Sequence, residues 1–408
     1  MWQVSRRSLL GAGLAFGAAS TVNLPTIAHS DARTRPLRLG VLSDMSGVYS
    51  SLGGPGSLEA VRMAAQDFGG RVGNLPIEII SGDHQNKPDI GTAIARRWID
   101  EQGVDAILDV PTSSVALGVQ FIARERGVVT IFATSASESL TNEECSPTGI
   151  HYVYDTYSLA NVTGKAVIAS GGDTWFFVTA DYAVGHALEK MVSDVVVASG
   201  GKVLGSVKAP LGTADFSSFL LQAQASKAKI VALANAGNDT VTSIKQAQEF
   251  GLSDGGQRIV GLNMFLSDID ALGLASAQGS LFATSFYWDA TDDGRKWSMR
   301  YFDRTGRMPN DIQAGLYSAT THYLKGVQAA GPVGIDAVHW MKSNEVRDFY
   351  ASPGRIGYNG RLYKDMYLAQ VKTPSESKKR WDDLKIIATT PASEAFRPES
   401  QSKCKNAR

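Results

Sequence analysis

Short runs of β-branched and apolar residues alternate with amphipathic helical segments along most of this chain. The strand pattern "LRLGVLS" is followed by the helix pattern "GSLEAVRMAAQDFGG", and the strand patterns "PIEIISGD" and "VDAILDV" come next with a helix pattern between them. Strands that alternate with helices in this way predict βαβ units built around a parallel sheet. The predicted fold class is therefore α/β.

The alternation starts again after Asp155. The segments "TWFFVTA", "KVLGSVKA", "AKIVALAN" and "RIVGLN" have strand patterns and are separated by helix patterns, so the sequence predicts two α/β lobes. Two longer helix patterns follow Trp288, and a strand pattern lies at Met366–Val371; we expect the helices to return to the first lobe and the strand to the second. The predicted boundaries are 37–155 plus 286–340 for lobe 1, 156–285 plus 341–372 for lobe 2, and 373–408 for a C-terminal tail.

The N-terminal 30 residues have the composition of an export signal. Arg6 and Arg7 precede an apolar run rich in Gly and Ala, and small residues at Ala28 and Ser30 suit cleavage before Asp31. The segment resembles a twin-arginine signal. The alternative is an uncleaved anchor helix, for which the apolar run is short. We expect an exported, soluble, periplasmic protein.

The chain contains two cysteines, Cys145 and Cys404. An oxidising compartment permits them to pair, and the bridge would tie the polar tail to the loop "TNEECSPTG". Two free thiols remain the alternative.

Several function classes are disfavoured. The chain has 40 basic residues (Lys and Arg) and 40 acidic residues (Asp and Glu). Its sequence contains no basic patch, so nucleic acid is not an expected partner. The six scattered His residues predict no metal site, and no phosphate-binding or dinucleotide motif predicts a cofactor. "GLSDG" follows a helix and precedes a strand, the reverse of a nucleophile elbow. A hydrolase that uses Ser253 remains the enzyme alternative, and we expect no enzyme.

Small polar and aromatic residues accumulate where the predicted strands end. The first half supplies "SDMSGVYSSLGG", "PTSS" and "ATSASES", and the second supplies "TYS", "TADYAVGH" and "NAGNDT". Ligands bind at this edge of open α/β sheets. Each segment alone also suits an ordinary helix cap. Together they predict a hydroxyl-lined cleft between two lobes.

These segments, in this order, resemble the type I periplasmic solute-binding proteins of the branched-chain amino acid and amide class of ABC importers. The likeness is carried by "LGVLSDMSGVYSSLGGPGSLEAVRMAAQDFGG", "FATSASESLT", "TADYAVGHALEK" and "IKQAQEFGL", and it spans residues 37–371. It implies two Rossmann-like lobes joined by a three-crossover hinge, which close over a ligand like a Venus flytrap. It also implies a monomeric carrier whose partner is a membrane permease.

The resemblance further implies which residues touch the ligand. Hydroxyls and backbone N–H groups at Ser113 and Thr134 would hold a carboxylate, Asp239 would face an ammonium group, and tyrosines would form apolar walls. The implied ligand-binding residues are Tyr49, Thr112, Ser113, Ser114, Thr134, Ser135, Ala136, Tyr157, Tyr182, Asn235, Asp239 and Tyr287.

Two ligand classes fit this pattern. The tyrosines favour an aromatic carboxylate, such as a benzoate or cinnamate derivative, delivered to the permease. Asp239 favours a branched-chain or other hydrophobic amino acid, unless its side chain faces solvent or caps the helix that follows. A ligand-sensor domain of the same fold is a further alternative.

Overall fold

The computed structural model describes residues 35–405, so the predicted export signal lies outside the described residues. The strands are β1 Leu37–Ser43, β2 Arg71–Val72, β3 Leu75–Asp83, β4 Ala106–Asp109, β5 Val129–Phe132, β6 Gly149–His151, β7 Thr174–Ala180, β8 Lys202–Ala209, β9 Ile230–Ala234, β10 Arg258–Gly261, β11 Leu281–Thr284, β12 Arg355–Ile356, β13 Leu362–Tyr363, β14 Met366–Val371 and β15 Leu384–Thr390. The helices are α1 Gly54–Asp67, α2 Pro88–Asp100, α3 Ser113–Arg126, α4 Thr156–Leu159, α5 Lys165–Ala169, α6 Ala183–Ala198, α7 Ser217–Ala225, α8 Asn238–Glu249, α9 Leu266–Leu272, α10 Leu274–Ala277, α11 Asp292–Thr305, α12 Asp311–Ala330, α13 Gly334–Ser343 and α14 Ala392–Ala395.

Six strands form the first sheet, in the order β2-β3-β1-β4-β5-β6. Strands β3, β1, β4, β5 and β6 are parallel, and β2 pairs antiparallel with β3. Alternate residues of β4 enter different apolar clusters, since Ile107 packs with Trp98 on one face and Leu108 packs with Met63 on the other. A parallel sheet covered by helices on both faces requires this continuous apolar pattern. The carboxyl ends of β1, β4 and β5 therefore lie side by side.

Four strands form the second sheet, in the order β10-β9-β7-β8, and all three pairings are parallel. Its central strands β7 and β9 are almost wholly buried, whereas β8 alternates between exposed and half-buried residues because it lies at an edge. Each strand leads through a loop into a helix, so the loops after β7 and β9 lie at one edge of this sheet.

The helices that follow β11 pack against the first sheet's helices. Helix α12 lies along α1. The side-chain amides of Asn310, at 3.2 Å, and Gln313 donate to the carbonyl oxygen of Leu52. On the surface, Arg300 of α11 pairs with Asp67 of α1 at 2.6 Å.

The last part of the chain contains a strand that the sequence prediction assigned to a tail. Strand β15 pairs antiparallel with β14, which also pairs with β11, so residues after 372 complete a three-stranded sheet. The following residues 391–404, here called the C-terminal strap, then run to the loop after β5. The Sγ atoms of Cys145 and Cys404 are 2.12 Å apart and form a disulfide bond.

A buried arginine joins the segments that connect the sheets. The Arg361 guanidinium donates to the carbonyl oxygens of Val153, at 2.6 Å, and Tyr154, at 3.2 Å. It also lies 4.6 Å from the ring centroid of Phe396 in the strap. Because Arg361 is only 2% exposed, its charge is stabilised by these carbonyls, by Asp155 at 3.7 Å and by the aromatic face.

Within residues 35–405, the structure has no helix that is both long enough and apolar enough to span a membrane.

Candidate ligand-binding site

Loops from the two parallel sheets meet at the carboxyl ends of their strands. The backbone N–H of Asn238, after β9, donates to the carbonyl oxygen of Val48, after β1, at 3.1 Å. Gly237 has a φ of 61°, and a Cβ atom there would lie 2.6 Å from that same carbonyl oxygen. Glycine is therefore required for this close approach. The two strand edges predicted to form a cleft face each other.

Tyrosines join the two loop sets. The hydroxyl of Tyr49, after β1, contacts the hydroxyl of Tyr182, after β7, and their ring centroids are 6.4 Å apart. Burial and the neighbouring Tyr182 and Asp239 raise the pKa of Tyr49 well above its ordinary value, so both tyrosines are neutral at physiological pH. They therefore present apolar ring faces and polar tips at one point.

The start of α3 supplies the first group of predicted residues. Thr112 precedes the helix in an extended conformation, and its hydroxyl donates to the side-chain oxygen of Asn86. The Ser113 hydroxyl oxygen accepts from the backbone N–H of Ser137 at 3.3 Å. Ser114 is half-buried, and its hydroxyl has no hydrogen bond among the described residues. The N–H groups of this first turn can donate to an anion, and so can the hydroxyl of Ser114, which is partly exposed whereas Ser113 is fully buried.

The loop after β5 supplies the second group, and its hydroxyls are already engaged. Thr134 donates to the carboxylate of Asp109, and Ser135 donates to the carbonyl oxygen of Val110. The carbonyl oxygen of Ala136 accepts from the N–H of Thr156 at 2.7 Å. The hydroxyl protons of Thr134 and Ser135 are therefore hydrogen-bonded within the protein and are not available to a ligand.

In the second sheet, Asn235 organises the start of α8. Its side chain donates to Ser243 at 3.1 Å and accepts from Thr240 at 2.7 Å. Both ends of the amide are thus used to fix the loop between β9 and α8. Asn235 shapes the loop that carries Asp239.

Asp239 has an unusual environment. Its side chain is buried; one carboxylate oxygen accepts from the N–H of Gly212 at 3.0 Å, and the other has no partner among the described residues. Asp239 is the second residue of α8 rather than its cap, and it acts electrostatically on Tyr49 and Tyr182. Burial raises the pKa of Asp239 to about 6, and the Gly212 hydrogen bond only partly opposes this.

Two predicted aromatic residues have other surroundings. The guanidinium of Arg397, in the strap, lies 4.7 Å from the ring centroid of Tyr157. The Tyr287 hydroxyl donates to the carbonyl oxygen of Trp381 at 3.3 Å, and its ring packs edge-on against Trp288. In the described part of the chain, no ring contact joins either residue to the Tyr49 and Tyr182 pair.

Three side chains that sequence reasoning did not single out support the site: Asp44, Asn86 and Asp109. Asp44 accepts from the N–H of Tyr49 at 2.8 Å and from the Asn86 amide at 2.6 Å, so it shapes the loop that presents Tyr49. Asp109 accepts from Ser43 at 2.7 Å and from Thr134. The available signal was their position at or within three residues of a strand end, in "SD", "GDHQN" and "LDV".

A cavity of about 1200 Å³ lies elsewhere, beside the start of α11 and the strap. None of the twelve predicted ligand-binding residues lines it. One of its two lysines, Lys364, donates to the carbonyl oxygen of Ser285 and lies 4.3 Å from the ring centroid of Tyr350. The Lys364 charge is therefore used within the protein. The described residues contain no group of three His, Cys, Asp or Glu arranged to hold a metal ion.

Comparisons with known proteins agree with this architecture. The family model described as periplasmic binding protein matches residues 36–379. A periplasmic binding protein from Burkholderia mallei is 48% identical, with a TM-score of 0.89 over 90% of this chain and 98% of that one. A branched-chain amino acid ABC transporter periplasmic ligand-binding protein from Burkholderia xenovorans LB400 is 37% identical, with a TM-score of 0.80 over 91% of this chain and 100% of that one.

A more distant structure shares the fold. An ABC transporter solute-binding protein from R. palustris, solved in complex with benzoate, is 20% identical, with a TM-score of 0.80 over 91% of this chain and 99% of that one. The predicted α/β fold of the type I periplasmic binding proteins is confirmed, and the resemblance seen in the sequence is confirmed with it. The chain therefore belongs to the periplasmic binding protein family.

Proposed function

We propose that this protein is the periplasmic substrate-binding component of an ABC importer, and that it delivers a small carboxylate to a membrane permease. The Burkholderia xenovorans relative, with 37% identity over nearly the whole chain, supports the transporter assignment. The ligand lies between the lobes, taken as residues 37–155 plus 286–340 and 156–285 plus 341–372. A monomer is sufficient for this role, because both strand edges come from one chain.

The ligand's carboxylate binds at the first turn of α3. Ser114 donates its hydroxyl proton, and the backbone N–H groups of that turn add charge-assisted hydrogen bonds and the favourable end of the helix dipole. Thr112, Thr134 and Ser135 fix the geometry of the loops rather than donate to the ligand, because their hydroxyl protons already have acceptors. Ser113 is fully buried and its oxygen holds the N–H of Ser137.

The ligand also carries an ammonium group, which pairs with Asp239. This choice rests on the buried carboxylate of Asp239, one oxygen of which has no partner among the described residues, and on its electrostatic effect on Tyr49 and Tyr182. A buried carboxylate is costly without a counter-charge, and an ammonium group would supply it. Asp239 neither faces solvent nor caps α8, so the condition that would have favoured an aromatic acid is not met. A hydrophobic α-amino acid is therefore preferred.

An aromatic acid without an ammonium group is the second candidate. Tyr49 and Tyr182, whose rings are tilted by 46° to each other, offer ring surfaces suited to such a ligand. The benzoate complex of the R. palustris protein shows that this fold accommodates an aromatic carboxylate in a distant relative.

Binding closes the lobes because the ligand contacts both strand edges only when they face each other. The equilibrium between open and closed lobes shifts toward the closed state, by as much as the ligand binds the closed state more tightly than the open one. Contacts such as the Tyr49 to Tyr182 hydroxyl pair then add to the closed state.

Export through a twin-arginine signal is part of the proposal, and it rests on Arg6 and Arg7 ahead of the apolar run. Replacing both by Lys should block secretion of the folded protein. Fractionation of cells that express each version measures this, and secretion of the Lys variant would contradict a twin-arginine route.

Thermal-shift and calorimetric titration of the protein from Asp31 onward test the ligand assignment. L-leucine and L-phenylalanine are the amino acid probes, and benzoate and cinnamate are the aromatic acids. Stabilisation by the amino acids and not by the acids is the expected result. Stabilisation by the acids alone would replace the ligand class, and no stabilisation by either class would overturn the small-carboxylate proposal.

A further inference from the structure

One buried carboxylate links three strand ends beneath the proposed site. Asp109 is fully buried at the end of β4. It accepts hydrogen bonds from Ser43, at the end of β1, at 2.7 Å and from Thr134, just after β5. The Ser43 oxygen in turn accepts from the N–H of Gly54, the first residue of α1, at 2.9 Å. Three strand ends thus meet at Asp109, and the start of α1 is joined to them through Ser43.

The backbone at this point is also unusual. Asp109 has a φ of 81° and Val110 a φ of 51°, so two successive residues adopt the left-handed conformation. A β-branched residue rarely adopts it, and such residues persist where the surroundings hold them. The N–H of Val110 donates to the carbonyl oxygen of Leu42 at 2.9 Å, and the Val110 carbonyl accepts from Ser135. This turn directs the chain from β4 into the start of α3.

Neither oxygen of Asp109 is left over for a ligand. Both accept from hydroxyl groups of the protein, which compensates for the burial of the carboxylate. The same hydrogen bonds set the spacing between the α3 start, where the ligand carboxylate is proposed to bind, and the Thr134 loop. We propose that Asp109 is a positioning residue of the binding site, which fixes the α3 start against the ends of β1 and β5. This inference rests on the proposed function for its ligand.

Asp109→Asn is the first test, because Asn keeps the shape and tolerates the left-handed conformation, so the fold is retained. Asn presents an N–H₂ group to one of the two hydroxyls, which disturbs the hydrogen-bond pattern. Asp105→Asn is the matched control. Asp105 lies directly before the same strand at the opposite edge of the sheet, where it pairs with Arg35 at 2.9 Å and accepts from the N–H of Arg38 at 2.8 Å.

Titration calorimetry with L-phenylalanine and with benzoate measures the effect on binding. For whichever probe binds the unaltered protein, Asp109→Asn should weaken affinity by about tenfold or more, and Asp105→Asn should leave it within about twofold. Unchanged or tighter binding by Asp109→Asn would overturn the positioning role. Equal losses of affinity in Asp109→Asn and Asp105→Asn would also overturn the positioning role, since they would reflect general destabilisation.

A double variant tests whether Asp109 acts through Thr134. If it does, Asp109→Asn combined with Thr134→Val should bind no more weakly than the weaker single variant. If the fold-losses in affinity of the two single variants multiply in the double variant, the two residues act independently, and Asp109 does not act through Thr134.

Amide hydrogen exchange on the free protein supplies a readout that needs no ligand. Asp109→Asn should speed exchange at Gly54 and in the first turn of α3, whereas Asp105→Asn should speed it at Arg38. If neither probe binds the unaltered protein, the ligand proposal fails and this comparison alone decides the role of Asp109. Unchanged protection at Gly54 and α3 would then overturn it.

Discussion

Asp109 and Asp239 are both buried carboxylates at the carboxyl end of a parallel sheet, and they are held in opposite ways. Asp109, in the first sheet, has a hydroxyl donor for each oxygen. Asp239, in the second, has one N–H donor and one oxygen without a partner in the described chain. We therefore infer that Asp109 stabilises the fold around the site, whereas Asp239 is available to a ligand. The following experiments test that separation.

The largest expected effect is that of Asp239→Asn on amino acid binding. Loss of the charge that faces the ammonium should weaken L-leucine and L-phenylalanine binding by about 3 to 5 kcal/mol, because the buried ammonium group loses its counter-charge. Titration calorimetry measures both. Asp89→Asn is the control, because Asp89 is an exposed second residue of α2 and matches the helix position of Asp239. A loss of affinity no larger in Asp239→Asn than in Asp89→Asn would contradict the ammonium role.

The second prediction concerns how the free energy of unfolding depends on pH through Asp239. Its pKa is raised to about 6 in the folded protein, whereas an unfolded Asp titrates near about 3.9. The folded state therefore binds the proton more tightly, and stability falls as pH rises from about 4 to 6, by at most about 3 kcal/mol. Asp239→Asn should remove that part of the slope. Denaturant unfolding across this range measures the difference, and identical slopes would refute it.

A smaller effect is expected for Ser114→Ala. This variant should weaken carboxylate binding by about 1 kcal/mol and leave stability unchanged, because the hydroxyl has no partner in residues 35–405. Ser113→Ala is the matched control and should mainly lower stability, since Ser113 accepts from Ser137. Paired calorimetry and thermal denaturation separate the two results. A stability loss in Ser114→Ala with unchanged affinity would assign it a structural role.

The smallest expected effect is that of Tyr49→Phe. Removing one hydroxyl of the Tyr49 to Tyr182 contact should weaken binding by about 0.5 to 1 kcal/mol, because the contact links the two sheets. Calorimetry at one pH is sufficient, with Tyr287→Phe as the control, since Tyr287 bonds to Trp381 instead. A larger loss in Tyr287→Phe would reverse the assignment of the two tyrosines.

The sequence predicted the two parallel sheets because buried parallel strands are short, continuous apolar runs separated by helices. It did not predict β15, since "LKIIATT" forms an exposed edge strand whose partner β14 precedes it across a charged loop. The strand pairing depends on tertiary contacts more than on local pattern.

The hydrogen-bond partners of the proposed site residues were less predictable than the strand ends that carry them. Asp109 meets Ser43 from 66 residues away, and Tyr287 meets a carbonyl 94 residues away. The hydroxyls of "PTSS" and "ATSASES" follow β4 and β5, at the strand ends where the sequence predicted them. Which hydroxyls are engaged depends on partners such as Asn86 and Asp109, and local spacing carries no information about these long-range bonds.

The disulfide has a consequence for how damage to this protein is seen. Cys145 and Cys404 are separated by 259 residues, so most of the chain lies inside one covalent ring. A single proteolytic cut within that ring leaves two pieces joined through sulfur. Such a molecule keeps its full mass on a non-reducing gel and separates only after reduction, so intact migration without reductant is no evidence of an uncut backbone.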